Sequence, residues 1–363
     1  MEQEQTIRIS RKLRRIIKLS IKLANRPDAS ELSESQINEI NRLSIPNNWL
    51  TRRLLKKPTR KVISNTFIIP VEDGMVTGYF FEKQWDHSQI TNLRPLIIFY
   101  HGGGWVWGNM DLYNFLCARI ASISNAAVLA VDYRLAPQHK FPTAVEDCYN
   151  TLLWAAQGAK YWKVDHERIF LMGDSAGANL AAVVSRLARD RKGPQIAGQI
   201  LVYPVTDGRM RTPSYTLYKE TPTLTAKDMG FFIRSYQREP KDILNPNFSP
   251  LLSKDHSRLP PTLIITAEFD PLLDDGKLYA EALASADTPV RYLECKKTVH
   301  GFLNFPAAQG SEETEAAIIQ FLSGRPVSQV ELLTMRELAK RTREDLKIAR
   351  KSNRNIIEVE TDG

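Results

Sequence analysis

Six short apolar runs at long intervals constrain the fold of this chain more than any other feature of its sequence. Each run is four or five residues long, and the stretches between runs are long enough to hold a helix. Near-continuous apolar strands that alternate with helices are typical of a mostly parallel sheet with helices on both faces. The sequence therefore predicts an α/β fold. The runs are 96–100, 127–131, 168–172, 200–203, 262–266 and 290–293.

Two further strands are predicted before the first run. Residues 67–70 and 75–81 flank Glu72, Asp73 and Gly74, a combination that indicates a hairpin turn. In sheets of this class, ligands bind beyond the carboxyl ends of the strands. Candidate functional residues are therefore those that directly follow each apolar run.

The composition is that of a globular protein, with 43% hydrophobic and 25% charged residues. No apolar run reaches the roughly 18 residues that a membrane span requires. The amino terminus has no apolar core of the kind found in secretory signals, so a cytoplasmic location is expected by default. Cys117, Cys148 and Cys295 are too few and too far apart for a disulfide framework or a metal site, and we expect them to be buried.

The net charge of +8 is concentrated at the amino terminus, where residues 1–61 hold 15 Lys/Arg and six Asp/Glu. Within this segment, 9–24 is predicted to be a basic amphipathic helix and 33–43 a second helix. After Gly324, residues 325–363 are predicted to form a long polar helix with a weak apolar stripe. This C-terminal extension is either a packing or oligomer element, so that a homo-oligomer is one expectation, or a solvated arm.

Ser175 is the candidate nucleophile. It lies in Gly173-Asp-Ser-Ala-Gly177, which follows an apolar run and precedes an Ala-rich helical stretch. The order strand, G-x-S-x-G, helix is that of a nucleophile elbow. The pattern alone would be a modest signal, but the strand before it and the helix after it make it specific.

A serine hydroxyl needs a base, and the base needs an acid to orient it. Two histidines follow Ser175, and His300 comes just after a strand, whereas His256 lies in a polar stretch before one and is expected to be solvated. Asp270 follows the run 262–266 and is the candidate acid. Asp274 and Asp275 stay open as alternatives.

The tetrahedral intermediate of acyl transfer needs backbone N–H donors. His101, Gly102, Gly103 and Gly104 directly follow the strand 96–100, and glycines let amide groups approach a substrate. We assign Gly103, Gly104 and Ala176 as oxyanion donors. His101, just before the glycines, is expected to support the loop through hydrogen bonds and not to act as a base.

Five motifs together resemble the hormone-sensitive-lipase family of esterases. They occur in that family's order, and the resemblance covers roughly 62–323. The motifs are His101-Gly-Gly-Gly, Asp132-Tyr-Arg-Leu-Ala-Pro, Gly173-Asp-Ser-Ala-Gly, Asp270-Pro-Leu and His300-Gly-Phe.

The resemblance implies an α/β-hydrolase fold and a carboxylesterase or lipase-like activity through Ser175, Asp270 and His300. It implies no metal and no organic cofactor. It also implies a helical cap over the site, built from 1–60 and from an insertion at about 206–247, on a catalytic domain of 61–324. The turn at 132–134 is structural in such proteins.

Other interpretations of the sequence remain open. The expected substrate is a small ester of short to medium acyl chain length, and Trp105, Trp107, Phe231 and Phe232 are candidates to line the pocket mouth. A hydrolase-fold receptor that binds a small ligand without turnover is the alternative. The basic amino terminus is expected to cap the site, and peripheral contact with an anionic membrane is a second expectation. Nucleic-acid binding is not expected, because no basic-aromatic motif is present.

Overall fold

The computed structural model describes residues 32–42, 62–84, 93–305 and 310–324, together with the single residues 9, 14, 44 and 308. Within these residues the strands form one eight-stranded sheet in the order β1-β2-β4-β3-β5-β6-β7-β8. Strands β1, β2 and β4 pair antiparallel, and all other neighbours pair parallel. The strands are β1 (Val62–Val71), β2 (Gly74–Lys83), β3 (Arg94–Tyr100), β4 (Ala127–Asp132), β5 (Val164–Asp174), β6 (Gly198–Val202), β7 (Thr262–Phe269) and β8 (Val290–Val299).

Eight α-helices lie in the described part of the chain. Three short 3-10 turns supplement them, at Pro240–Leu244, Pro250–Leu252 and Phe302–Asn304. None of the described helices has the length and apolarity needed to cross a membrane. The helices are α1 (Glu34–Asn41), α2 (Met110–Ser124), α3 (Thr143–Gly158), α4 (Ala176–Asp190), α5 (Pro213–Leu217), α6 (Ala226–Tyr236), α7 (Leu273–Ser285) and α8 (Ser311–Leu322).

The strands confirm the predicted pattern. Each of the six apolar runs lies on a strand, except that Tyr203, the last residue of the run 200–203, follows the end of β6. Strands β1 and β2 form the predicted hairpin, in which Val71 pairs with Gly74. Strand β8 extends beyond its apolar run, 290–293, to Val299. Its later residues include the exposed Lys296 and Lys297, and it regains its pairing with β7 through Phe269 and Val299 after a register shift.

Both faces of the central strands β3 to β6 are buried, as predicted for a mostly parallel sheet, whereas the edge strand β1 is largely exposed. Alternate residues of β3 contribute to two separate apolar clusters, Leu96 and Ile98 to one and Ile97 and Phe99 to the other. Helices α3, α4 and α7 complete the first cluster, and α2 and α8 complete the second. The three cysteines are buried and unpaired, as expected.

At the amino terminus, α1 lies within the predicted helix 33–43. Ser33 and Gln36 form a capping box at its start, which satisfies N–H groups that would otherwise lack partners. Ile37 anchors the helix, with only 2% of its surface exposed. Apart from residues 9 and 14, the predicted helix 9–24 lies outside the described residues, as does the whole of 325–363.

The connection between β6 and β7 carries α5, α6 and two of the 3-10 turns. The predicted insertion at 206–247 falls within it. The Asn179 side chain on α4 contacts the residues just before and just after this insertion, because its Nδ2 donates to the carbonyls of Val205 at 2.9 Å and Phe248 at 2.8 Å. Helix α6 lies against the loop that follows β3, where Phe232 packs over Gly104 and against Trp107.

Candidate active site

Ser175 lies in the sharp turn between β5 and α4. Its φ of 54° and ψ of −120° fall in a sparsely populated region, a conformation that costs on the order of 1–3 kcal/mol. The turn also needs its two glycines. A Cβ on Gly173 would lie 2.3 Å from the Gly177 carbonyl, and a Cβ on Gly177 would lie 2.0 Å from the Tyr100 oxygen. The local sequence thus accounts for the geometry that presents the hydroxyl at the start of a helix.

His300 lies between Ser175 and Asp270. Its Nε2 is 2.9 Å from Ser175 Oγ, and its Nδ1 is 2.8 Å from Asp270 Oδ2. Asp270 directly follows β7 and is fully buried, and its other oxygen accepts a hydrogen bond from the Leu272 N–H group at 2.9 Å. The Tyr203 ring packs on His300 with centroids 4.6 Å apart. The structure therefore brings together the three side chains that the sequence singled out.

The alternative acids lie elsewhere. Asp274 accepts a hydrogen bond from the Ser214 N–H group at 2.8 Å, and Asp275 accepts bonds from Thr206 and Asp207 at 2.8 and 3.1 Å. Burial raises the pKa of Asp275 well above its usual range. Both carboxyl groups tie the β6–β7 connection to α7.

His256 was expected to be solvated, and this expectation was wrong. It is half-buried near the amino end of β7, where its ring packs edge-on against Tyr279 at 5.6 Å between centroids. Burial lowers the pKa of its imidazole.

The glycine loop after β3 folds as a tight turn. The Gly103 carbonyl accepts hydrogen bonds from the N–H groups of Val106 at 3.1 Å and Trp107 at 2.8 Å. Within the described residues, nothing accepts a hydrogen bond from the N–H groups of Gly103 and Gly104. Ala176 is the first residue of α4, where helix geometry leaves the N–H group without an intrahelical partner.

His101 supports this loop, as predicted. Its Nδ1 lies 2.7 Å from the Gly102 carbonyl, and its ring stacks on Tyr133 with centroids 4.4 Å apart. Burial lowers the pKa of His101 to about 4, so that the ring is neutral at pH 7. The Tyr133 hydroxyl donates to the His101 carbonyl at 2.7 Å, which joins the structural turn at 132–134 to the loop.

Sequence reasoning missed Asp174, the residue before the nucleophile. It is 2% exposed, and its carboxylate accepts hydrogen bonds from the Gly102 N–H group at 2.8 Å, the Tyr113 hydroxyl at 3.2 Å and the Tyr203 hydroxyl at 3.4 Å. Burial raises the pKa of Asp174 to about 6, although the Gly102 hydrogen bond and the nearby His300 act in the opposite direction. The available signal was a carboxylate at the carboxyl end of a buried strand.

Three of the four aromatic residues predicted at the pocket mouth lie together, and one does not. Phe232 packs edge-on against Trp107 at 4.7 Å and lies directly over Gly104, where a Cβ would be 2.2 Å from the Phe232 ring; Phe231 lies 5.7 Å from Phe232. Trp105 is fully buried and stacks on Tyr236 at 4.7 Å, with Phe248 on another side. The expectation that Trp105 lines the mouth was therefore wrong, since it belongs to the core.

No group of three or more His, Cys, Asp or Glu side chains that could hold a metal ion occurs in the described ranges.

Comparison with known proteins agrees with the fold. The sequence profile of the α/β-hydrolase fold family matches residues 97–304. The carboxylic ester hydrolase LipN of Mycobacterium tuberculosis is 41% identical over 240 residues, 63% of this chain and 64% of that protein, so the chain spans somewhat less than two thirds of its length. The arylesterase of Saccharolobus solfataricus is 37% identical over 212 residues, 58% of this chain and 69% of that enzyme.

A solved structure extends the comparison to most of the chain. The hyperthermophilic esterase of the archaeon Pyrobaculum calidifontis superimposes with a TM-score of 0.76 and 34% identity, over 87% of this chain and 98% of the esterase. The profile match covers more than half of the chain, and all five motifs lie within the matched residues. The chain therefore belongs to the α/β-hydrolase family, within its hormone-sensitive-lipase group.

Proposed function

We propose that the protein is a carboxylic-ester hydrolase that acts through Ser175. The observation that carries this proposal is the placement of His300, within hydrogen-bonding distance of Ser175 on one side and Asp270 on the other. A serine hydroxyl is a weak nucleophile until an oriented base accepts its proton. The names of the relatives, carboxylic ester hydrolase, arylesterase and esterase, support the same activity.

The reaction follows from this arrangement. Asp270 accepts the Nδ1–H bond of His300, which leaves Nε2 free to take the proton of Ser175 as Oγ attacks the ester carbonyl. The N–H groups of Gly103, Gly104 and Ala176 stabilise the oxyanion. His300 then protonates the leaving alcohol, and an acyl-enzyme forms. A water molecule, deprotonated by His300, then attacks this intermediate. His300 returns that proton to Ser175 Oγ as the bond to the acyl group breaks, which releases the carboxylic acid and restores the serine.

The proposed substrates are esters of short- to medium-chain acids. Phe232 lies over Gly104 and packs edge-on against Trp107, so one large ring covers a proposed oxyanion donor and a second ring packs against the first. Aromatic rings packed this closely leave little depth for a long acyl chain on that side. Turnover of a p-nitrophenyl ester series of increasing acyl length measures this preference.

Replacement of Ser175 tests the activity itself. Ser175→Ala should lower turnover of a p-nitrophenyl ester by at least about 10³-fold, because the nucleophile is lost while the fold is kept. Ser185→Ala is the matched control, since Ser185 is a buried serine further along α4. Native turnover in Ser175→Ala would overturn the assignment. Failure of a fluorophosphonate to label the native protein would instead favour the alternative, a small-ligand receptor without turnover.

Contact with a membrane surface and self-association are separate expectations from the catalytic activity. Membrane contact through 1–60 and self-association through 325–363 concern residues that lie largely or wholly outside the described ranges. Membrane contact is tested by sedimentation with anionic liposomes, in which the native chain is compared with a chain that lacks 1–61. Analytical ultracentrifugation tests self-association.

A further inference from the structure

Asn41, the last residue of α1, contacts the loop that follows the glycine turn. Its Nδ2 donates to the Val106 carbonyl at 2.8 Å, and its Oδ1 accepts from the Gly108 N–H group at 3.1 Å. One amide side chain therefore satisfies two backbone groups that lie two residues apart. These residues are about 65 positions from Asn41 in sequence, so the contact is tertiary.

The backbone of Asn41 adds a third bond. Its carbonyl accepts from Asn109 Nδ2 at 2.6 Å. The Oδ1 atom of Asn109 in turn caps α2, because it accepts from the Leu112 N–H group at 3.1 Å. The end of α1, the loop and the start of α2 thus form one connected network.

The segment that Asn41 holds determines where Gly103 lies. The Gly103 carbonyl is bonded to the N–H groups of Val106 and Trp107, so the turn closes on the residues that Asn41 contacts. A Cβ on Gly103 would lie 1.9 Å from the Trp107 carbonyl, which shows how closely the two sides of the turn approach each other. A shift of Val106 or Trp107 would therefore move Gly103 and its N–H group.

We propose that Asn41 is a positioning residue for the oxyanion loop, and that docking of α1 on the core is needed for full stabilisation of the transition state. This inference rests on the proposed function. Oxyanion donors act only when they are held in place before the reaction, and a displacement of about 1 Å can cost on the order of 100-fold in rate. Asn41 acts through the backbone and does not itself contact the reacting atoms.

The test compares two variants with a matched control. Asn41→Ala removes both side-chain bonds, whereas Asn41→Asp keeps an acceptor for Gly108 and places a carboxylate against the Val106 carbonyl. Asn38→Ala is the control, because Asn38 is an exposed asparagine on the same helix. Rates are expressed per active site titrated with a fluorophosphonate, so that unfolded protein does not contribute.

For Asn41→Ala and Asn41→Asp we expect kcat for a p-nitrophenyl ester to fall about 10- to 100-fold, with KM changed less than about threefold. The inhibition constant of a trifluoromethyl ketone, whose adduct with serine carries an oxyanion, should rise in parallel. A residue that only stabilises the fold would lower the titrated fraction and leave both quantities unchanged.

The inference is overturned if kcat and the inhibition constant of both Asn41 variants match those of Asn38→Ala. It is equally overturned if both variants have a lower fraction of titratable sites while kcat per site and the inhibition constant stay native. The proposed function fails by a different result, namely native turnover in Ser175→Ala, so the two outcomes are distinguishable.

Discussion

The carboxylate of Asp174 accepts a hydrogen bond from the Gly102 N–H group at 2.8 Å. This bond joins the residue before the nucleophile to the first glycine of the loop that follows β3. Because β3 and β5 are neighbours in the sheet, both segments leave it at the same edge. Asp174 therefore couples the position of Ser175 to that of the proposed oxyanion donors.

Replacement of Asp174 by Asn should lower kcat by about 10-fold, because an amide offers one acceptor oxygen where the carboxylate offers two. Either the Gly102 N–H group or the hydroxyls of Tyr113 and Tyr203 would lose the carboxylate oxygen that accepts their hydrogen bonds. Steady-state kinetics with a p-nitrophenyl ester measure the change. Asp165→Asn, at the opposite end of the same strand, is the control, and equal rates in the two variants would contradict this role.

The same carboxyl group should make stability depend on pH. Its folded pKa of about 6 lies above the ordinary value of 3.8, so the folded state binds more protons between these limits. The stability of the native protein relative to Asp174→Asn should therefore fall as pH rises from 4 to 7, by on the order of 3 kcal/mol. Urea denaturation of both proteins across this range measures it. A difference that stays constant, or that grows with pH, would show that the carboxyl group is not buried as described.

Substitutions at Asp270 and Asp274 distinguish the proposed acid of the triad from an alternative acid four residues later. Asp270→Asn should lower kcat by about 10³-fold or more, because the orientation and charge that support His300 are lost. Asp274→Asn should keep kcat within a few-fold, since that carboxylate bonds to Ser214. Stopped-flow or steady-state kinetics on both variants test the assignment. A larger loss of kcat in Asp274→Asn than in Asp270→Asn would show that Asp270 is not the acid.

The nucleophile turn could be predicted from the sequence because its determinants are local. Gly173 and Gly177 flank Ser175 within five residues, and their close approaches are set by the strand and helix that the turn joins. His300 and Asp270 were predicted for a related reason. Each follows a recognisable strand, and parallel strands bring their carboxyl ends to one edge.

The positions of the residues that the sequence interpretation misplaced or missed depend on packing between distant segments. Trp105 lies beside the glycine loop and could have faced either the pocket or the core, and only its stacking on Tyr236 decides the matter. The role of Asp174 depends on Gly102, and that of Asn41 on a loop about 65 residues away. No local pattern carries that information.

Arg134 is expected to support the fold and not the chemistry. Its backbone N–H group and its guanidinium both bond to the fully buried carboxylate of Asp147, at distances of 2.6 to 3.2 Å. Arg134→Ala would leave that carboxylate largely without a charged partner and should destabilise the protein by about 2–3 kcal/mol, a value reduced because the arginine is partly exposed. Urea denaturation measures the loss, and kcat per titrated site should stay near native. Arg211→Ala, at an exposed position, should cost under about 0.5 kcal/mol, and equal losses in the two variants would contradict the assignment.

Phe232 should limit the length of the acyl chain. Its ring lies over Gly104 and edge-on to Trp107, so Phe232→Ala opens space beside a proposed oxyanion donor. We expect kcat/KM for long acyl esters to rise relative to that for acetate by about 10-fold or more, because each buried methylene contributes roughly 0.8 kcal/mol. The p-nitrophenyl ester series measures this ratio for the native protein and the variant. Phe231→Ala is the control, since Phe231 is the adjacent and more exposed phenylalanine on the same helix. If both variants shift the ratio equally, or if neither does, the chain-length limit lies elsewhere in the pocket.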